Sequence, residues 1–374
     1  SSDVCSSDLK LTAKQETKLK ERDALTRKVN DLLNSGKLIE GTASVEKVLA
    51  IEKEVYGENS VKLVESFGVL GRCHMARENW AEARDARRHI VEILTAAYGK
   101  DDWRVTDARF LLTDVDLFEK MKFENRAEVR RAANFELDAA RLQGQGKYGD
   151  AIVPIMQKLA IQRRVYGTEH PEYASSLNSL GTAYLYASQR TKAMPVLKEA
   201  VDVWKKIAGE NHPKYVVALG NLASTYEANR QRDLAEPIYK QVVNLTGKLR
   251  GEEHPDYAVS LNNLGLFYRN LGDYGRAEPL LRRSLEIRKK VLGETSTVYA
   301  TSLSNLALLY SDTHEDSRAE PLFREALEIG RKTRGETHPQ TISAMSSLGQ
   351  TQHRLGQSDS AIVLRSEEHT SELQ

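Results

Sequence analysis

The sequence predicts an all-α solenoid of helix pairs that repeat every 42 residues. The first observation is a ladder of glycines in which five of the six steps are 42 residues long and the sixth, from Gly99 to Gly167, is 68. The second is that these intervals hold two apolar stripes at helical spacing, separated by a turn. Neither helix can bury its stripe alone, so successive pairs are expected to stack. The ladder consists of Gly57, Gly99, Gly167, Gly209, Gly251, Gly293 and Gly335.

The first helix of the clearest copy, residues 251–292, is predicted to begin at Pro255 and to end before Gly272 and Asp273. Proline suits the first helical position because its φ is already near the helical value and its missing N–H has no partner there. Glycine followed by aspartate then interrupts the helical pattern as a turn. The apolar stripe of this helix consists of Ala258, Leu261, Leu264 and Tyr268.

The second helix of the same copy is predicted from about Tyr274 to Val291. Ala277, Leu281 and Leu285 fall on one face of it. Gly293 follows this helix. Glycine is favoured at this place because the residue just after a helix often adopts a positive φ.

The same register divides the rest of the chain. Residues 10–98 are expected to form two helix pairs, and residues 125–364 six pairs, of which the last is truncated. Residues 99–124 between them are expected to form one extra helix, around Trp103 to Met121, at a joint between the two arrays.

The two ends of the chain are interpreted as non-native. Residues 1–9 and 365–374 can be encoded by opposite strands of one stretch of DNA, which indicates translated sequencing adapter. The native protein is therefore expected to continue beyond both ends.

Composition argues against several classes of function. The net charge of +1 gives no indication of a nucleic-acid partner or an anionic membrane. The sequence contains no run of about 18 apolar residues, which is the length that would indicate a membrane span. The two cysteines, Cys5 and Cys73, do not make a disulfide framework, and we expect a cytoplasmic protein.

Three motifs that suggest chemistry are better explained by the repeat. Residues 144–149 match GxGxxG, but they follow a predicted helix instead of a strand and coincide with an inter-helix turn. Cys73 and His74 are adjacent, and adjacent helical residues do not face each other. Four histidines each precede a helix start at one repeat position, so successive copies should lie about 10 Å or more apart. They are then too far apart to share a zinc ion, whose nitrogen ligands lie about 2.1 Å from it. These helix-entry residues are His170, His212, His254 and His338. The sequence therefore predicts no catalytic residue, no metal site and no cofactor.

The repeat resembles the kinesin light chain form of the tetratricopeptide repeat, which uses a 42-residue period. The first half of that pattern is seen in His254-Pro255-Asp256-Tyr257-Ala258 and in Leu261-Asn262-Asn263-Leu264. The second half is the Ala-Glu-Pro sequence at 235–237, 277–279 and 319–321. The resemblance implies a right-handed superhelix whose first helices line a concave groove, as in arrays that are abundant in bacterial proteins. It also implies that the partner is a protein or an extended peptide.

The positions interleaved with the packing stripe are expected to face that groove. A carboxamide offers both a donor and an acceptor, so it can pair with the N–H and C=O of an extended peptide. Asn221, Asn263 and Asn305 recur at one repeat position, and the resemblance implies that they contact the peptide. Replacing all three with alanine is then expected to remove binding and leave melting nearly unchanged. The alternative is that these side chains make helix–helix contacts. The predicted groove residues are Asn178, Asn221, Asn262, Asn263, Arg269, Asn270 and Asn305.

Two other functions are considered. The chain could be the sensor arm of a larger enzyme, such as a caspase-like protease or a protein kinase, whose catalytic domain lies outside this sequence. RNA binding would require a basic inner face. Glu227 and Asp312 are also expected to face the groove, so its positions include one Arg, one Glu and one Asp, and RNA binding is ranked last.

Overall fold

Residues 11–357 are described by a computed structural model, and every regular element in this range is helical, as predicted. The adapter-like segments 1–9 and 365–374, and Cys5 with them, lie outside the described residues. A short 3-10 helix, Val61–Leu63, precedes α3. The α-helices are α1 Ala13–Asn34, α2 Leu38–Tyr56, α3 Val64–Ala76, α4 Trp80–Tyr98, α5 Trp103–Lys120, α6 Phe123–Gly144, α7 Tyr148–Val165, α8 Pro171–Tyr186, α9 Arg190–Ala208, α10 Pro213–Ala228, α11 Arg232–Arg250, α12 Pro255–Asn270, α13 Tyr274–Leu292, α14 Thr297–Asp312, α15 Asp316–Arg334 and α16 Pro339–Arg354.

These helices form two compact units. The first unit consists of the described residues up to Ser176 together with Lys205–Gly209. The second consists of Leu177–Trp204 and the described residues from Glu210 onward.

In the first unit, α1 to α5 share one core. Val29, Val48, Phe67, Ile90 and Val105 come from these five helices in turn and belong to one buried cluster. The helix predicted at the joint is present as α5, and it packs into this core. The proposed division of the chain into arrays on either side of it stays a prediction.

In the second unit, the predicted stripe of α12 is buried. Ala258, Leu261, Leu264 and Tyr268 of α12 are each 5% exposed or less. A Cβ on Gly265 would lie 2.9 Å from Leu281 side-chain atoms of α13, so the absence of a side chain at this position lets the two helices of the pair pack closely. The apolar register read from the sequence is therefore confirmed for α12; in α13, Ala277 and Leu281 are buried and Leu285 is half-buried.

Histidine side chains cap the N-termini of the first helices α10, α12 and α16. The Nδ1 atom of His254 accepts a hydrogen bond from the Asp256 backbone N–H at 3.1 Å, and His212 and His338 make the same contact two residues ahead at 3.2 Å. In α14 a serine, Ser296, caps the helix in the same way. Each contact satisfies one of the N–H groups that a helix N-terminus leaves unpaired. The interpretation of these histidines as helix-entry residues is confirmed.

The second helices end at the glycine ladder. Gly293 follows α13 with φ of +80°, a conformation that side chains with a Cβ rarely adopt. The 42-residue glycine step thus marks the end of each helix pair.

Candidate peptide-binding surface

The predicted groove residues lie on the first helices α8, α10, α12 and α14, and most of them bond to the neighbouring first helix. The Asn221 Nδ2 donates to Asn178 Oδ1 at 2.9 Å. The Asn305 Nδ2 donates to Asn262 Oδ1, also at 2.9 Å. Each pair spans 43 residues, one period plus one, because successive first helices stack with an offset of one residue.

A second row of contacts repeats this spacing near the C-terminal ends of the first helices. Arg269 Nε donates to Asp312 at 2.6 Å, and Asn270 Nδ2 donates to Glu227 at 2.9 Å. Arg354 donates to Ser311 in the same way. Six of the seven predicted groove residues therefore join neighbouring first helices, which supports the helix–helix alternative for their side chains.

Asn263 is the exception. It occupies the repeat position of Asn221 and Asn305, and the residue 43 positions before it is Gly220, which has no side chain to accept a hydrogen bond. Within residues 11–357, no hydrogen-bond partner of the Asn263 carboxamide is found. Asn263 is partly exposed, so solvent or a ligand can reach it.

A cavity of about 310 Å³ opens where this pair is missing. It lies between α10, α11 and α12, and both Gly220 and Asn263 line it. Val217 and Val259, which share one repeat position, are 53% and 44% exposed at its edge. Val216 and Val242 are buried and form part of the apolar wall of the cavity. The site therefore combines an apolar recess with one carboxamide that lacks a counterpart.

A second, smaller cavity lies between α14, α15 and α16, with a volume of about 170 Å³. The amide pair is absent here too, because the two corresponding positions are Ser304 and Ser347, and both line the cavity. Ser304 donates to the Ala300 carbonyl of its own helix at 3.2 Å. Both cavities thus occur at junctions that lack the asparagine pair.

Glutamates of the Ala-Glu-Pro sequences join each second helix to the first helix of the next pair. Tyr268 Oη donates to Glu236 at 3.0 Å, and Tyr310 Oη donates to Glu278 at 2.8 Å. Arg318 also donates to Glu278 at 2.7 Å and stacks over the Tyr310 ring at 3.8 Å. This contact was not predicted, although a Tyr that recurs 32 residues after the glutamate could have suggested it.

The surroundings of this contact shift the pKa values of Glu278 and Tyr310 in opposite directions. Burial would raise the pKa of Glu278, but hydrogen bonds from Tyr310, Arg282 and Arg318 outweigh it and lower the pKa to about 2. Burial, followed by the hydrogen bond to Glu278, raises the pKa of Tyr310 to about 12. Glu278 is therefore an ionised acceptor and Tyr310 a neutral donor at neutral pH.

The structure gives the other motifs structural roles. The GxGxxG sequence is a turn, since α6 ends at Gly144 and α7 begins at Tyr148. Cys73 is 2% exposed, and burial raises the pKa of its thiol, so it is a packed side chain. Over residues 11–357, no group of three or more His, Cys, Asp or Glu side chains is placed to hold a metal ion. No helix in the same range has the length and apolar character needed to cross a bilayer.

Comparison with known families supports the repeat assignment. A tetratricopeptide repeat family model matches residues 139–206, 218–290, 256–332 and 300–364, which together cover more than half of the chain. No curated protein matches the sequence.

Several solved structures are similar. The nearly identical TPR-like repeats of a putative kinesin light chain from Podosopora anserina are 28% identical, covering 55% of this chain and 98% of that one, with a TM-score of 0.46. BtubC (BKLC) from P. vanneervenii is 19% identical, covering 67% of this chain and 91% of that one, with a TM-score of 0.48. A signal transduction ATPase with numerous domains and a tetratricopeptide repeat sensor, from Pyrococcus horikoshii, is 14% identical. It covers 95% of this chain and 53% of that one with a TM-score of 0.52, which indicates a shared fold.

Proposed function

Because the chain belongs to the tetratricopeptide repeat family, we propose that it is a non-catalytic, protein-binding scaffold. Its binding site is the first-helix surface, by which we mean the solvent-facing side of α10, α12, α14 and α16. The partner is an extended segment of another protein that lies across these helices.

The cavity between α10, α11 and α12 carries this proposal. Val217 of α10 and Val259 of α12 are exposed at its edge, and it has the volume expected of a binding pocket. Its mixed lining suits a peptide, since valine side chains can bury an apolar group while Asn263 can pair with a backbone amide or carbonyl.

The solvent side of the second helices is different in character. On α13, Arg283 pairs with Glu286 at 3.5 Å, and Lys289 pairs with Glu294 beyond the helix end at 2.7 Å. Such exposed ion pairs are already satisfied and hydrated. The first-helix surface is therefore the better candidate for binding an apolar side chain.

Selection of random 12-residue peptides displayed on phage tests the proposal. We expect the full chain to enrich a family of related peptides, and Val259→Asp to weaken their binding at least tenfold because it puts a charge at the cavity edge. Val291→Asp is the matched control, since Val291 of α13 is 46% exposed against 44% for Val259 but lies outside the cavity. Failure to enrich any peptide, or equal loss of affinity in both variants, would overturn the proposal.

A further inference from the structure

We infer that Gly220 is a specificity-determining position, and that the junction it opens between α10 and α12 takes one aliphatic side chain of the bound segment. The inference rests on the proposed function and adds the place and the chemistry of the main contact. Its basis is the repeat itself, which shows what occupies the same position elsewhere in the unit.

The repeat position of Gly220 is occupied by an amide in two neighbouring copies. Asn178 lies 42 residues before it and Asn262 lies 42 residues after it. The side-chain Oδ1 atom of each accepts a hydrogen bond at 2.9 Å from the asparagine 43 residues further along the chain. At Gly220 the corresponding donor, Asn263, is present and the acceptor is missing.

Packing does not require glycine at this position. A Cβ at Gly220 would meet only the Val242 methyl groups, at 3.9 and 4.0 Å, which is ordinary van der Waals contact. Glycine in a helix interior is less favourable than alanine. By contrast, a Cβ on Gly265 of α12 would lie 2.9 Å from Leu281, so glycine there is required by packing. The space beside Gly220 is therefore open to a group from outside the chain.

The chemistry of the lining selects the occupant. Val216, Val217, Val242, Leu249 and Val259 give the recess aliphatic walls. The lining also holds Lys214, Arg250 and Asp256, and Arg250 Nε lies 3.4 Å from Asp256, so these two charges already offset each other. Against the valine and leucine walls a charged side chain would lose hydration, whereas an aliphatic one gains burial. Asn263 lies beside the walls, where its carboxamide can pair with the backbone that carries the inserted side chain.

Substitution of Gly220 tests the inference directly. In Gly220→Asn, the new carbonyl should accept from Asn263 as Asn262 does from Asn305, and its side chain should fill the recess. Gly220→Ala adds only a Cβ and leaves Asn263 without an acceptor. We expect Gly220→Asn to lose at least tenfold in affinity for the peptides selected by the wild type, and Gly220→Ala to keep affinity within about threefold.

Three outcomes of the 12-residue peptide selection distinguish the two levels of the proposal. If the wild type and Gly220→Ala enrich peptides with a common aliphatic residue and Gly220→Asn does not, the inference holds. Enrichment of the same peptides by all three proteins overturns the inference but leaves the proposed function standing. Enrichment by none overturns both. Thermal unfolding followed by circular dichroism confirms that each variant is folded, and Gly220→Asn is expected to melt no lower than the wild type.

Discussion

At the scale of single residues, the asparagines of one repeat position differ in what they contact. Asn305 donates to Asn262, a buried residue that is 8% exposed. Asn221 donates to Asn178 in the same manner. Asn263, which the repeat makes equivalent to Asn221 and Asn305, lines a cavity with Gly220, which has no side chain to accept its hydrogen bond. Identical residues in the sequence therefore have different roles in the folded chain.

This difference predicts unequal effects on stability. Asn305→Ala should lower the free energy of unfolding by about 1 kcal/mol, because it leaves the buried Asn262 oxygen without a donor. Asn263→Ala breaks no hydrogen bond within the described residues and should change stability by less than about 0.5 kcal/mol. Urea unfolding followed by circular dichroism measures both.

A double-mutant cycle with Asn262→Ala completes this test, since the double variant removes both polar groups and should cost less than the sum of the single changes. Equal destabilisation by Asn263→Ala and Asn305→Ala would contradict the assigned pairing. The expectation from sequence that all three asparagines could be replaced without affecting melting is accordingly revised, because two of the three hold helices together.

At the scale of helices, each pair is bounded by local signals. His254 or its counterpart starts the first helix, and a glycine ends the second. The histidine cap is a single side-chain contact to a backbone N–H two residues ahead, at 3.1 Å in α12. Serine makes the same contact in α14, so the geometry of the helix start does not depend on an imidazole.

The capping role predicts a rescue. His254→Ala should lower the free energy of unfolding by about 1 kcal/mol, because the Asp256 N–H loses its acceptor. His254→Ser should recover most of that loss, as Ser296 shows that serine fits the equivalent position. Chemical denaturation of the three proteins gives the comparison. Equal stability of His254→Ala and the wild type would rule out the cap, and a loss in His254→Ser as large as in His254→Ala would assign histidine another role.

At the scale of the whole molecule, stability is expected to be roughly a sum of contacts between neighbouring repeats. The Tyr–Glu–Arg contacts in the second unit are one recurring part of that sum, and they depend on ionised glutamate. The alternative in which the chain is the sensor arm of a larger enzyme is not tested by residues 11–357 and stays a prediction.

The Glu278 contact predicts a specific acid sensitivity. Its folded pKa of about 2 lies below the ordinary value of 4.5, so its stabilising effect is fully present above about pH 4.5 and is lost as the pH falls toward 2. Because the Glu278 side chain is 32% exposed, the effect should not exceed about 1 kcal/mol. Urea unfolding at pH 7, 4 and 3 should show that the stability difference between the wild type and Glu278→Gln shrinks as the pH falls.

Glu286→Gln is the control for this measurement. Glu286 lies on the same helix, its side chain is 66% exposed, and its contact with Arg283 is longer, at 3.5 Å. We expect a smaller and nearly pH-independent effect. A pH-independent difference for Glu278→Gln as well would show that the Tyr310 and Arg318 contacts do not stabilise the ionised form.

The sequence by itself determined the all-α class, the 42-residue register, the helix starts at the histidines and the buried stripe of α12. These features depend on residues close together in the chain, so spacing and residue type are enough to reveal them. Only the tertiary structure decided which amides pair, because the offset of 43 arises from how neighbouring first helices stack and no single repeat contains it. For the same reason, Gly220 is an ordinary helical glycine in the sequence, and only its position opposite Asn263 in the folded chain reveals a cavity.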